Sequence, residues 1–211
     1  MRGIVVKVPS VVFFPGATGA GDFWSPVADR LPPHWQTELI SWPGAGAVPA
    51  LPGVDGYADL VALAAELVPD GSDVVAQSMG GVVAIGLALA RPRKIRRLVL
   101  VATSGGVDVS GLGGSQWRDE YRAEFPRAGA WVTGDAPDHS AQLSSLELPV
   151  CLIWGDADPI SPVAVGDALL RLLPSSELHV IAGGTHALAS EQPDRVAALV
   201  QRHLDGAATR G

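Results

Sequence analysis

A single cysteine, Cys151, occurs in 211 residues, so no intrachain disulfide can form. It sits in the apolar run 149–154, where a small buried side chain is the expected reading. Charge is scarce, at 18% of residues, and leans acidic: 15 Lys and Arg against 22 Asp and Glu, a net of −7. That balance excludes nucleic acid and anionic membrane surfaces as main partners. Long apolar runs are missing too. The longest, 82–90, stops at Arg91, far short of the roughly 20 residues that span a bilayer, so no membrane insertion is expected. The segment 1–8 is broken by Lys7 and carries no cleavage-like site, so it does not read as a signal peptide and the expected setting is cytoplasmic. No G-x-x-x-x-G-K-[ST] phosphate loop occurs, the glycines at 16, 19 and 21 do not fit G-x-G-x-x-G, and no His-x-x-x-His pair exists. Neither metal nor organic cofactor is expected.

What the chain does have is apolar content, 47%, with 25 Gly and 17 Pro falling between the apolar runs. That pattern gives one well-cored domain over 1–211 with many tight connections. Short β-branched segments at 10–14, 38–42, 73–76, 97–102, 149–154 and 177–182 read as strands, several apolar on both faces as buried parallel strands are. A further edge strand is expected at 4–8. Helical spacing alternates with them. Residues 57–68 place Leu60, Leu63, Ala64 and Leu67 on one face, and 79–90 is apolar all round. Residues 162–173 follow Ser161 as N-cap, and 193–204 opens on Pro193. The alternation predicts an α/β fold, a mostly parallel sheet with helices on both faces. Residues 104–146 break it with a Gly-rich loop and then Trp117, Tyr121 and Phe125 at i, i+4, i+8. A lid inserted between two strands is expected there.

In an open parallel sheet, ligands bind beyond the carboxyl ends of the strands. Ser78 follows one strand directly, Asp156 and Asp158 follow another, and His186 a third. Ser78 lies in Ala76-Gln-Ser-Met-Gly-Gly81. A strand that turns at once into a helix puts its middle residue at an unfavourable backbone angle and crowds the residues two before and two after. Ala76 and Gly80 are small enough. The turn exposes the hydroxyl and aims the Met79 amide, at the helix start, toward any oxyanion formed there. A serine needs a base. His186, in Gly183-Gly-Thr-His186, is the best placed of five histidines; His34, His139, His179 and His203 have structural readings. A base of this kind needs an orienting carboxylate. Asp158 is preferred over Asp156, which sits right after Gly155 as a natural turn residue.

These residues resemble the α/β-hydrolase family over nearly the whole chain. The order Ser78, Asp158, His186 matches that family's nucleophile, acid and histidine. Val11-Val-Phe-Phe-Pro-Gly-Ala17, with Trp24 after it, resembles the strand and oxyanion loop, and Trp42-Pro-Gly44 the next strand's loop. Trp154-Gly-Asp-Ala-Asp-Pro159 resembles the acid loop, and Gly184-Thr-His186 with Gln192-Pro193 the histidine loop and last helix. The family's first motif glycine is Ala76 here, and the histidine that usually precedes the oxyanion-loop glycine is Pro15, which offers no N–H.

The resemblance implies an oxyanion hole made by the amides of Ala17 and Met79. It implies a serine hydrolase that cleaves an ester of a small or medium acyl group through an acyl-enzyme on Ser78, with a small-molecule acyl substrate in a largely apolar pocket beside Trp24, Trp117, Tyr121 and Met79. Thioester hydrolysis or acyl transfer on the same triad is the alternative, and a non-catalytic binding protein the second. Phe14-Pro-Gly-Ala17 resembles the loop of thioesterases acting on carrier-bound acyl chains, which keeps a carrier-protein-bound acyl substrate open. The basic cluster Arg91, Arg93, Lys94, Arg96 and Arg97 reads mainly as a solvated connection after a helix C-terminus, with a phosphate or carrier-protein contact as the alternative.

Overall fold

The computed structural model describes residues 10–206, so the edge strand expected at 4–8 lies outside the described residues. Six strands form one sheet in the order β2-β1-β3-β4-β5-β6: β1 (Ser10–Phe14), β2 (Gln36–Leu39), β3 (Ser72–Gln77), β4 (Ile95–Val101), β5 (Val150–Gly155) and β6 (Ser176–Ile181). Every pairing is parallel. β3 and β5 are buried along their whole length, and β4 from Leu98 onward, which is why they read as continuous apolar runs.

Alternation within each strand divides the core into two layers. Val12, Phe14, Val74, Ala76, Leu98, Leu100, Leu152 and Trp154 face one side. There they meet α2 (Tyr57–Leu67), α3 (Met79–Ala90) and α5 (Val163–Leu172). Val11, Phe13, Val75, Val99, Val101, Cys151 and Ile153 face the other, beneath α1 (Ser25–Ala28), α6 (Leu188–Glu191) and α7 (Pro193–Asp205). No helix among the described residues is long and apolar enough to cross a membrane.

Three local expectations shift. The second strand is Gln36–Leu39, not 38–42: the Trp42 N–H donates to Gly19 O at 2.8 Å, in a loop, instead of joining the sheet ladder. On α2, Leu60 and Ala64 are buried but Leu67 is exposed, and Val68 takes its place in the core. Ser161 does not cap α5. Its Oγ accepts the Trp154 indole N–H at 3.2 Å, and Pro162 holds the N-cap position.

The connection from β4 to β5 holds α4 (Arg118–Glu124) and two 3₁₀ turns, Ala130–Thr133 and Leu143–Ser145. The chain leaves β1 toward β2 on one side and returns to β3 on the other. The sheet order therefore reverses between β1 and β3, and the connections that leave their carboxyl ends part there, the place where an open parallel sheet forms a ligand crevice.

The core's dependence on close packing is measurable. Leu100 is fully buried in β4 between β3 and β5. Leu100→Ala should lower stability by about 2–5 kcal/mol, read from equilibrium urea denaturation; a loss under about 1 kcal/mol would contradict the two-layer core.

Candidate active site

β3 ends at Gln77 and α3 begins at Met79, so Ser78 alone makes the turn. Its φ of 51° and ψ of −121° lie in a sparsely populated region for a residue with a Cβ. Contacts on both sides impose it. The Ser78 N–H donates to Val101 O at 3.0 Å. Its carbonyl accepts from the Thr103 hydroxyl at 2.5 Å and the Gly81 amide at 3.0 Å. A Cβ at Gly80 would stand 2.5 Å from Pro15 O, and one at Gly81 would stand 2.5 Å from Thr103 Oγ1. Gly80 lets the helix start against the end of β1, and Gly81 lets it pass Thr103 just after β4.

His186 reaches this turn from the loop after β6. Its Nε2 lies 3.0 Å from Ser78 Oγ and its Nδ1 lies 2.8 Å from Asp158 Oδ2. With the proton on Nδ1, the ring donates to the carboxylate and accepts from the hydroxyl. Asp158 is buried, and its Oδ1 accepts two amides, Ile160 at 2.8 Å and Ser161 at 2.9 Å. Both carboxylate oxygens are thus engaged. Asp156 turns elsewhere: it is exposed and accepts the Gly183 amide at 2.7 Å, tying the acid loop to the histidine loop. Ala157 N–H to Gly184 O at 3.0 Å is a second tie. Gly155 sits so close to Gly184 that a Cβ there would overlap its carbonyl.

Ala17 follows β1 in a loop whose carbonyls are almost all taken. Phe14 O accepts the Trp24 indole N–H at 3.0 Å and Pro15 O the Trp42 indole N–H at 3.0 Å. Gly16 O accepts Gly19 N at 3.0 Å, and Ala17 O accepts the Tyr121 hydroxyl at 2.8 Å. Among the described residues, no acceptor is paired with the Ala17 or Met79 amides. Pro15, whose missing N–H set it apart, contributes through its carbonyl alone.

A cavity of about 400 Å³ opens over Ser78 and His186. Met79, Val82, Trp117, Tyr121 and Phe125 supply apolar wall, and Arg118, Glu120 and Glu124 charge. Trp117 and Tyr121 stack edge to face with centroids 5.7 Å apart, and Tyr121 and Phe125 lie 5.0 Å apart, the i, i+4, i+8 face expected. Burial pushes the Tyr57 hydroxyl, also in the wall, up to about 12, against a smaller opposing pull from Arg118. Trp24 requires a correction. It is fully buried in the layer under α1, its ring 5.3 Å from Phe13. In the Gly21–Trp24 turn the neighbouring Phe23 faces the cavity instead.

Two residues at the site were not singled out from the sequence. Gln77 donates through Nε2 to His186 O at 3.2 Å and packs on Gly16. Thr103, just past β4, braces the Ser78 carbonyl. The position of Gln77 next to the serine was a signal; Thr103 gave none, since only the parallel register brings it there.

Metal-type ligand atoms gather elsewhere, on β5 and β6, where Cys151, Glu177 and His179 approach within 4.8 Å of one another. Arg202 already supplies positive charge there, donating to His179 Nε2 at 2.8 Å. Burial, followed by the nearby Glu177 carboxylate, pushes the Cys151 thiol up to about 12. Burial also lowers the His139 and His203 imidazoles. The basic cluster lies around the start of β4, the opposite end of the strand from the cavity. There Arg96 pairs with Asp73, Arg97 donates to Leu204 O at 2.8 Å and Lys94 to Val68 O at 2.8 Å.

The profile of the alpha/beta hydrolase family matches residues 11–199. The chain belongs to the alpha/beta hydrolase family. Among curated proteins it is similar to the pimeloyl-[acyl-carrier protein] methyl ester esterase of Chromobacterium violaceum, 28% identical over 93% of this chain and 94% of that one. The enzyme of the same name from Aromatoleum aromaticum is 26% identical over 94% and 99%. Among solved structures, an esterase from Thermogutta terrifontis superimposes with a TM-score of 0.76 at 21% identity, covering 93% of this chain and 89% of that one. At that identity the likeness speaks for the fold.

The Gly155–Gly184 approach gives a test of how the site is held. Gly155→Ala should part the acid and histidine loops and lower ester hydrolysis by roughly tenfold or more, as small misplacements of reacting groups do. Unchanged turnover at unchanged thermal midpoint would show that the two loops need no such contact.

Proposed function

We propose that this alpha/beta hydrolase cleaves carboxylic esters of small or medium acyl groups through a covalent acyl-enzyme on Ser78. The observation that carries the reading is the chain of contacts from Ser78 Oγ through His186 to Asp158, at 3.0 and 2.8 Å, at the mouth of a largely apolar cavity. Ser78 Oγ attacks the ester carbonyl carbon, and its proton passes to His186 Nε2. The buried Asp158 carboxylate stabilises the imidazolium and fixes its orientation. The oxyanion is received by the Ala17 and Met79 amides, the second strengthened by the N-terminus of α3. Collapse breaks the ester C–O bond, and His186 returns the proton to the departing alcohol. Water repeats the sequence and releases the acid.

Ester cleavage is also what the curated relatives' names describe, and those relatives act on an acyl chain borne by a carrier protein. Thioester hydrolysis or acyl transfer would use the same atoms, and a carrier-bound acyl chain remains the second reading of the substrate. Trp117, Tyr121 and the rest of the β4–β5 connection act in this scheme as the cap that excludes water from the acyl group.

A fluorophosphonate probe should label the wild-type chain at Ser78 and leave Ser78→Ala unlabelled, read by intact-mass spectrometry; a wild type as inert as the variant would favour a binding protein on this fold. For p-nitrophenyl acetate, Asp158→Asn should lower kcat by on the order of 10³- to 10⁴-fold. Asp156→Asn, which keeps an oxygen to accept the Gly183 N–H and loses only an exposed charge, should cost far less, and the reverse ranking in steady-state assays would move the acid to Asp156.

A further inference from the structure

The cap and the oxyanion loop are joined by one hydroxyl. Tyr121 on α4 is buried, and its OH donates to Ala17 O at 2.8 Å while accepting the Gly46 N–H at 2.7 Å. Those partners lie on separate loops, after β1 and after β2. The two loops pack without room for a side chain: a Cβ at Gly46 would overlap Thr18 O, and one at Gly19 would stand 2.5 Å from Ala45 O. The hydroxyl closes the third side of this contact from the cap.

We infer that Tyr121 is a positioning residue for the oxyanion hole: by holding Ala17 O it restrains the Ala17 backbone so that the N–H of the preceding Gly16–Ala17 peptide is presented to the reacting carbonyl. The inference rests on the acyl-enzyme reading above. The carbonyl of residue 17 and the amide of residue 17 share one Cα, so fixing the carbonyl limits rotation about it. Without the hydroxyl, Ala17 O on the cavity wall and the buried Gly46 N–H both lose a partner, and rotation of the loop becomes the way to satisfy them. The aromatic ring and the hydroxyl have separate tasks. The ring packs with Trp117 and Phe125 as cavity wall; the hydroxyl acts through Ala17 and need not touch substrate.

Tyr121→Phe keeps the ring and removes the hydroxyl. With p-nitrophenyl esters, kcat should fall by roughly 5- to 50-fold, less than the 100- to 1000-fold expected for deleting an oxyanion donor outright, while KM shifts by less than about twofold because ground-state contacts survive. An alkyl trifluoromethyl ketone, which adds Ser78 to form a tetrahedral oxyanion, should lose affinity in step with kcat. The product carboxylic acid should bind as before. A kcat within about twofold of wild type, or equal losses for ketone and acid, would overturn the inference and leave Tyr121 as cavity wall. If Tyr121→Phe does not fold, Phe125→Leu loosens the same helix and keeps the hydroxyl. A loss in kcat and ketone affinity again supports the coupling, and a change confined to KM overturns it. A wild-type chain without Ser78-dependent hydrolysis fails at the first step, overturning the acyl-enzyme reading itself and this inference with it.

Discussion

The backbone of Ser78 is the constraint on which the rest of the site depends. A non-glycine residue in that conformation is disfavoured by about 1–3 kcal/mol, so the surrounding structure must hold it. Three hydrogen bonds, to Val101, Thr103 and Gly81, fix the peptides on either side. Gly80 lets α3 start against the carbonyls of Phe14 and Pro15. The result is a hydroxyl raised at the sheet's edge, a helix amide beside it, and β1's loop close enough to supply a second amide. Relaxing φ at residue 78 would undo all three together, which is why so many contacts converge on one residue.

The oxyanion loop shows a different economy of groups. From Phe14 to Ala17 every carbonyl has a donor, and three of the four donors are aromatic side chains, Trp24, Trp42 and Tyr121. Aromatic donors at the end of a buried ring have little freedom to turn away. Carbonyls held in this manner are not free to turn toward the cavity that Gly16 and Ala17 line.

Much of this could be read from the chain. Five of the six strands, α3 to the residue, and the edge of the sheet where Ser78, Asp158 and His186 meet follow from apolar periodicity and from what comes directly after each strand, whereas the exposed β2 has no such period and was placed too late. Trp24 was misread because two adjacent aromatics in a 3₁₀ turn point to opposite sides. Spacing cannot tell which one, Phe23 or Trp24, faces the cavity. Thr103 and the double contact of Tyr121 were invisible for a related reason: they depend on register between strands and on the path of an irregular connection, neither of which has a period. Asp156 was set aside as a turn residue after Gly155, and what holds Asp158 in place is a turn of its own, in which Ile160 and Ser161 donate back to its carboxylate.

Placement also limits how a carrier protein could deliver an acyl chain. β4 runs seven residues, Ile95–Val101, or about 23 Å at roughly 3.3 Å each. The basic cluster surrounds its first residues and the cavity lies past its last. An acidic partner seated on the cluster would stand a strand's length from Ser78. Its cations are also partly spent, with Arg96 on Asp73 and Lys94 on Val68 and Asp70. A carrier-borne chain that reached the cavity past α4, which lines it, would meet Arg118, Asp119, Glu120, Arg122 and Glu124, both signs of charge with a net of −1. A surface of that kind gives an acidic partner little long-range steering, so selection among substrates falls to the 400 Å³ cavity and its apolar wall. On the proposed reading the chemistry sits at the strand ends, the acyl group meets a wall shared by α3 and the β4–β5 connection, and Tyr121 ties that connection to the loop after β1.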